Sequence, residues 1–165
     1  SCHVRMGSKM SELVNKWGAA VAERGFAQIP NYLLMINQFL ADEDKLPPSE
    51  MMVLLTLVAT WWKKDTPPYP SVKSIADRSN ISERQALRAL GSLEKKGFIK
   101  REKQTRTRGI ISRNSYSLAP LTLKLAVVAE AFPNIYPRKG VNELSKVSSW
   151  PPKLGPMEIS SKDKL

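Results

Sequence analysis

The sequence predicts a mainly α fold with a small β wing: a helix-turn-helix followed by a wing, with N-terminal and C-terminal helical extensions. Three observations carry this expectation. Residues 71–95 read as two short amphipathic helices around a tight turn, and the segment after them alternates apolar and charged residues as a strand does. The flanking stretches repeat apolar residues at intervals of three and four, the helical period. Finally, the net charge of +11 is localised, because residues 71–113 hold 12 basic and 4 acidic side chains, a surplus of 8. Positive charge concentrated on one segment is the footprint of a polyanionic partner.

In chain order, residues 1–9 are expected to be an arm outside the fold or a cloning remnant ahead of Met10. Residues 10–44 form the N-terminal helical extension. From Ser11 to Arg24 the line Leu13, Val14, Trp17, Ala20 and Val21 predicts an amphipathic helix, which Gly25 stops while Phe26 folds back on its last turn. Pro30 and Asn31 open a second helix to about Leu40, with Leu33, Ile36 and Leu40 buried. Asp42, Glu43 and Asp44 follow in a loop. Adjacent carboxylates point in different directions and no calcium-loop glycine pattern surrounds them, so they read as solvated charges.

Residues 45–118 form the winged domain. Its first helix is expected over Leu46–Lys64, entered through Pro47 and Pro48, where proline's missing N–H has no helical partner to lose. That helix is apolar around nearly its whole circumference. It therefore needs partners on both sides, which predicts that residues 10–41 pack on it, within the chain or across a dimer. Asp65 to Tyr69 is the next loop, and Tyr69 is a candidate for a short strand pairing with the wing. Ser71 caps a helix running to about Arg78, with Ile75 and Ala76 facing inward. Asn80, Ile81 and Ser82 make the turn, and Ser82 with Gln85 has the spacing of a capping box. Along the second helix Ala86, Ala89, Leu90 and Leu93 fall on a core face, and Arg84, Gln85, Arg88, Ser92 and Lys95 on a polar, cationic one. Leu87 lies on the flank, to touch a thymine methyl or to pack against another part of the chain. Gly97 ends the helix; Phe98–Lys103 is a strand, Gln104–Gly109 a turn holding Arg106 and Arg108, and Ile111–Leu118 the returning strand. In residues 119–137, Pro120 to Phe132 predicts a helix with Leu121, Leu125, Val128 and Phe132 in line, as a core lid or an oligomerisation helix. Residues 138–165, broken by Pro, Gly and Ser, have the composition of a flexible tail.

The run PSVKSIADRSNISERQALRALGSLEKKGFIKR (residues 70–101) resembles the winged helix-turn-helix domains of bacterial regulators and of phage or plasmid replication proteins. Asn114–Leu118, NSYSL, is similar to their returning wing strand, and the resemblance spans roughly residues 46–118. The segment KWGAAVAERGFAQIPNYLLMINQFL also looks like an extension of some of these regulators. The resemblance implies binding to double-stranded DNA. Base edges in the major groove would be met by Arg84, Gln85, Arg88 and Ser92, since arginine pairs with guanine and glutamine with adenine. Ser71, Lys73 and Ser82 would lie near phosphates at helix starts, with Lys95, Lys103, Arg106, Arg108 and Arg113 following the backbone. The leading expectation is a sequence-specific transcriptional regulator. The alternative is a phage- or plasmid-type replication initiator or helicase-recruiting origin-binding protein, and a third reading is a module whose basic face meets an acidic protein. A single recognition helix reads few base pairs, so a symmetric homodimer is expected, with Trp17 and Val21 or Leu125 and Phe132 at its seam.

Enzymatic readings lack parts: the sequence has no phosphate-cradling glycine loop, and its one histidine, His3, cannot serve a distant nucleophile as base. No enzyme activity, cofactor or metal is expected. Cys2 and His3 would be half of a metal site without a second pair of ligands. The apolar run Met51–Trp62 is shorter than the about 20 residues a bilayer span needs. With a single cysteine and no secretory leader, a bacterial cytoplasmic protein is expected, nucleoid-associated when bound to DNA, with a transcription or replication protein as a further possible partner.

Overall fold

The architecture follows from where this chain can start, stop and bury its helices. The computed structural model describes residues 11–104 and 113–136. Its elements are α1 (11–17), α2 (Ala19–Ala22), α3 (Asn31–Leu34), α4 (Pro48–Ala59), α5 (Val72–Ser79), α6 (Glu83–Lys95), β1 (Lys100–Gln104), β2 (Arg113–Ser117) and α7 (Ala119–Ala131). Short 3-10 turns occupy Ile36–Gln38 and Asp42–Asp44. The fold is mainly helical with a small antiparallel β wing, as the sequence predicts. β1 pairs with β2 in a register running from Lys100 opposite Ser117 to Gln104 opposite Arg113.

One buried cluster holds these elements together. α4 supplies Val53, Leu54 and Leu57, α5 supplies Ile75 and Ala76, and α6 presents Ala86, Ala89, Leu90 and Leu93, the core face expected from its periodicity. Phe98, Tyr116 and Leu118 join from the hairpin, and Leu121 and Val128 from α7. Leu33, Ile36, Phe39 and Leu40 belong to the same cluster, so the second half of the N-terminal extension packs on the winged core within the chain. Asn37 fixes its exit: its amide nitrogen donates to Leu46 O at 2.9 Å while Leu46 N donates to its amide oxygen at 2.7 Å. The two extensions also meet. The Phe39 and Phe132 rings lie 5.0 Å apart, and the Tyr32 hydroxyl donates to the Phe132 carbonyl.

Several expectations are corrected. The helix expected over Ser11–Arg24 is interrupted at Gly18, which takes φ 83° and ψ 155°, outside any helical region. Only Ala22 of that stretch is buried; Val14, Trp17 and Val21 lie exposed. The helix expected from Pro30 to Leu40 is a single α-turn followed by a 3-10 turn, although its buried line is as expected. α4 stops at Ala59, short of Lys64. Thr60 turns its hydroxyl back onto the carbonyls of Thr56 and Leu57, at 3.1 and 3.0 Å, and leaves helical geometry with ψ 2°. The wing's third partner is Pro68, not Tyr69, and it consists of one bond, Tyr116 N to Pro68 O at 2.9 Å. Residues 1–9 and the stretch 138–165, with Cys2 and His3, lie outside the described residues.

Candidate nucleic-acid interface

The helix-turn-helix is set by local hydrogen bonds that the sequence encodes. Ser71 Oγ accepts from Ser74 N at 3.1 Å to begin α5. Asn80 closes α5 in the left-handed region, φ 53° and ψ 47°, a conformation in which asparagine is enriched. Ile81 N then donates back to Ala76 O at 3.1 Å, and the chain turns into α6. There the capping box is complete, with Gln85 N donating to Ser82 Oγ at 3.1 Å and Ser82 N donating to Gln85 Oε1 at 2.9 Å. At the other end Gly97 takes φ 78°, Phe98 N donates to Leu93 O and Gly97 N to Glu94 O. This paired closure delivers the chain into β1 at a fixed angle.

The cationic face lies where the periodicity places it. Arg84, Gln85 and Arg88 are exposed on one side of α6, and Leu87 beside them is 49% exposed, so it does not pack into the chain. Ser71, Lys73, Ser82, Lys95 and Lys103 are also exposed. Gln85 carries the constraint that its capping role implies: its amide oxygen accepts from Ser82 N, which leaves its amide nitrogen as the donor it can offer a ligand.

Ser92 is a correction. It turns toward α4, and its hydroxyl donates to Glu50 Oε1 at 2.5 Å, away from any groove. Lys96 Nζ donates to the same oxygen at 3.0 Å and to Lys45 O at 2.9 Å. Glu50 is thus a buried carboxylate that seats α6 on α4. Sequence reasoning missed it, and the available signal was a lone acid inside an otherwise apolar helix. On the wing, Glu94 neutralises Arg101: Arg101 N donates to Glu94 Oε2 at 2.8 Å and the guanidinium lies 3.2 Å from Oε1. That backbone N–H is the main cause holding the Glu94 carboxyl below its ordinary range, with the guanidinium adding to it. Lys100 and Lys103 remain as exposed cations on β1. Arg106 and Arg108 lie outside the described residues, and Arg113 begins β2 opposite Gln104. Leu125 and Phe132, expected at a dimer seam, pack against the chain's own core.

This assembly of helix, turn, capped helix and wing, packed with flanking segments from residue 33 onward, coincides with a known domain. The family described as the DnaD N-terminal domain matches residues 30–132, more than half of the chain. The chain belongs to the DnaD N-terminal domain family. The family is a DNA replication-related, winged-helix-like one, and the matched span begins just before the first residue of the buried cluster, Leu33. No curated protein matches the chain. Among the described residues no group of three or more metal-ligating side chains comes together, and no helix is long and apolar enough to cross a membrane.

Proposed function

We propose that this DnaD N-terminal domain protein acts in the initiation of DNA replication, binding duplex DNA through α6 and the wing and recruiting further replication proteins such as a helicase. The observation that carries the reading is the membership of a replication-related family by the very residues that build the exposed face of Arg84, Gln85 and Arg88. The same membership favours replication over transcriptional regulation. Arg84 and Arg88 supply direct base contacts, Gln85 donates from its amide nitrogen, and Lys73, Lys95 and Lys103 follow phosphates. The protein acts without catalysis or cofactor, in the cytoplasm of a bacterium or under the control of a phage or plasmid it carries.

The test is genome-wide mapping of the bound protein in its native cell, with an Arg84→Ala/Arg88→Ala variant alongside. Enrichment at replication origins, lost in the variant, is the expected result. Each arginine should account for about 1–3 kcal/mol of specific binding in vitro. Enrichment confined to promoters would return the protein to transcriptional regulation, and none at all would exclude the duplex-binding face.

A further inference from the structure

The loop between α4 and α5 exposes a group of side chains that duplex recognition does not use. Where Thr60 ends α4, the two adjacent tryptophans part: Trp61 packs against the core, and Trp62 is 82% exposed. Tyr69, seven residues on, is 52% exposed. Both line one cleft of about 510 Å³, together with Lys63 from the loop and Ser74 and Arg78 from α5. Its lining contains two cations and no carboxylate. A single exposed aromatic needs no ligand to explain it, but two in one cleft beside two cations form a surface suited to a flat, anionic ligand.

We propose that this cleft binds single-stranded DNA, with an unpaired base stacked on Trp62, a second contact on Tyr69, and the connecting phosphates held by Lys63 and Arg78. Sequence-tolerant strand binding needs aromatic platforms beside a positive track, because every base has a π-face and every linkage a charge. Bases within a duplex are already stacked and cannot use such a platform. The platform is also formed in advance. Lys63 bridges Thr66, whose N–H donates to Lys63 O at 3.1 Å, three prolines follow at 67, 68 and 70, and the Tyr116 N–H to Pro68 O bond ties the loop to β2. A rigid loop loses little entropy when it binds. A proline-rich peptide could also use aromatic walls, but it would gain nothing from Lys63 and Arg78, so the charge favours the strand. Ser74 and Arg78 belong to α5, the helix just before the recognition helix, so an unpaired strand and a duplex would be held on neighbouring elements.

The inference draws on the proposed DNA-binding role only for the identity of the polyanion, and a duplex arm of the experiment reports on that role separately. Labelled oligothymidylate of about 15 nucleotides is titrated with the full chain and read by fluorescence anisotropy, beside a labelled duplex. Trp62→Ala should weaken oligothymidylate binding by about fivefold to a hundredfold, with Trp62→Phe retaining most of the affinity. Tyr69→Ala and Arg78→Ala should weaken it less, and duplex binding should be unchanged by Trp62→Ala. Arg84→Ala/Arg88→Ala should do the reverse. Trp62 and Tyr69 are exposed, so their variants should melt as the parent does by circular dichroism. Oligothymidylate affinity unaffected by all three alanine variants would overturn the proposal. So would thymidine monophosphate competing as well as the oligonucleotide, or an oligoproline peptide occupying the cleft in place of the strand.

Discussion

Lys96 shows how much of the position of α6 depends on one side chain away from its exposed cationic face. Its ammonium group, largely buried, lies 3.0 Å from an equally enclosed Glu50 carboxylate on α4, and the same carboxylate accepts from Ser92. Removing one member strands the other in a poorly solvated place. Lys96→Met should therefore cost about 3 kcal/mol of stability, and Glu50→Leu added to it should restore most of that loss, since two apolar groups need no partners. Urea denaturation of the two single variants and the double variant measures the coupling; a double variant no more stable than Lys96→Met would show that the pair is not coupled. Lys124 is the opposite case. Its ammonium lies 5.2 Å from the centre of the Phe98 ring, and burial pushes its pKa below the ordinary lysine value of 10.5, with the charge of Asp44 opposing the shift. With the folded pKa depressed, the unfolded chain binds more protons between that pKa and 10.5, so the penalty from this site is constant at lower pH, falls as pH rises through that window and is gone above 10.5. Lys124→Met should stabilise the protein by about 1 kcal/mol at neutral pH. That advantage should shrink as urea titrations are repeated toward pH 10.5, and an advantage constant with pH would point to packing instead.

Gly97 governs the junction of α6 with the wing, and its contribution belongs to the element. Its φ of 78° is what lets Phe98 N reach Leu93 O, and a Cβ there would meet only the Lys124 side chain, at an ordinary 3.5 Å from Cε and 3.7 Å from Nζ. Gly97→Ala should thus destabilise by about 1–2 kcal/mol through backbone strain alone. Thermal melting checks this, and a loss far beyond it would mean that the wing detaches. Elements closed by such local chemistry were legible in the sequence. Ser71, the Ser82 and Gln85 pair, Asn80 and Gly97 each specify their own bond, and α5, α6 and the hairpin fall where those residues put them. Elements whose ends depend on tertiary packing were not. The shared apolarity of Leu46–Lys64 gives no sign that Thr60 will fold its hydroxyl back, and the period of Val14, Trp17 and Val21 cannot show that the described residues leave all three exposed. The exposed face of Arg84, Gln85 and Arg88 was legible from the helical period. Ser92 was misplaced because it sits near the edge of that face, and a buried acid on another helix drew it inward.

At the scale of the whole molecule, the unfinished surface is the N-terminal one. Trp17 and Val21 are 52% and 48% exposed, Val14 and Phe26 are exposed with them, and the Trp17 and Phe26 rings lie 6.3 Å apart. Leu125 and Phe132 are committed to the chain's own core, so of the two seams the sequence suggests, only that of Trp17 and Val21 remains open to a second copy. A homodimer closed there would present two copies of α6 related by a two-fold axis. It would favour inverted half-sites about 10 base pairs apart, or a multiple of that spacing, and would double the few contacts one recognition helix can make. The expected result is a dimer by light scattering at micromolar concentration. Trp17→Ala/Val21→Ala should convert it to a monomer with a melting temperature close to the parent's, because neither side chain contributes to the intrachain core. The monomer should still bind single half-sites, with affinity for the paired site lowered by the loss of linkage between the two helices. A parent protein that is already monomeric and protects one asymmetric site in footprinting would rule the seam out, and would leave the N-terminal apolar face to a partner other than a second copy.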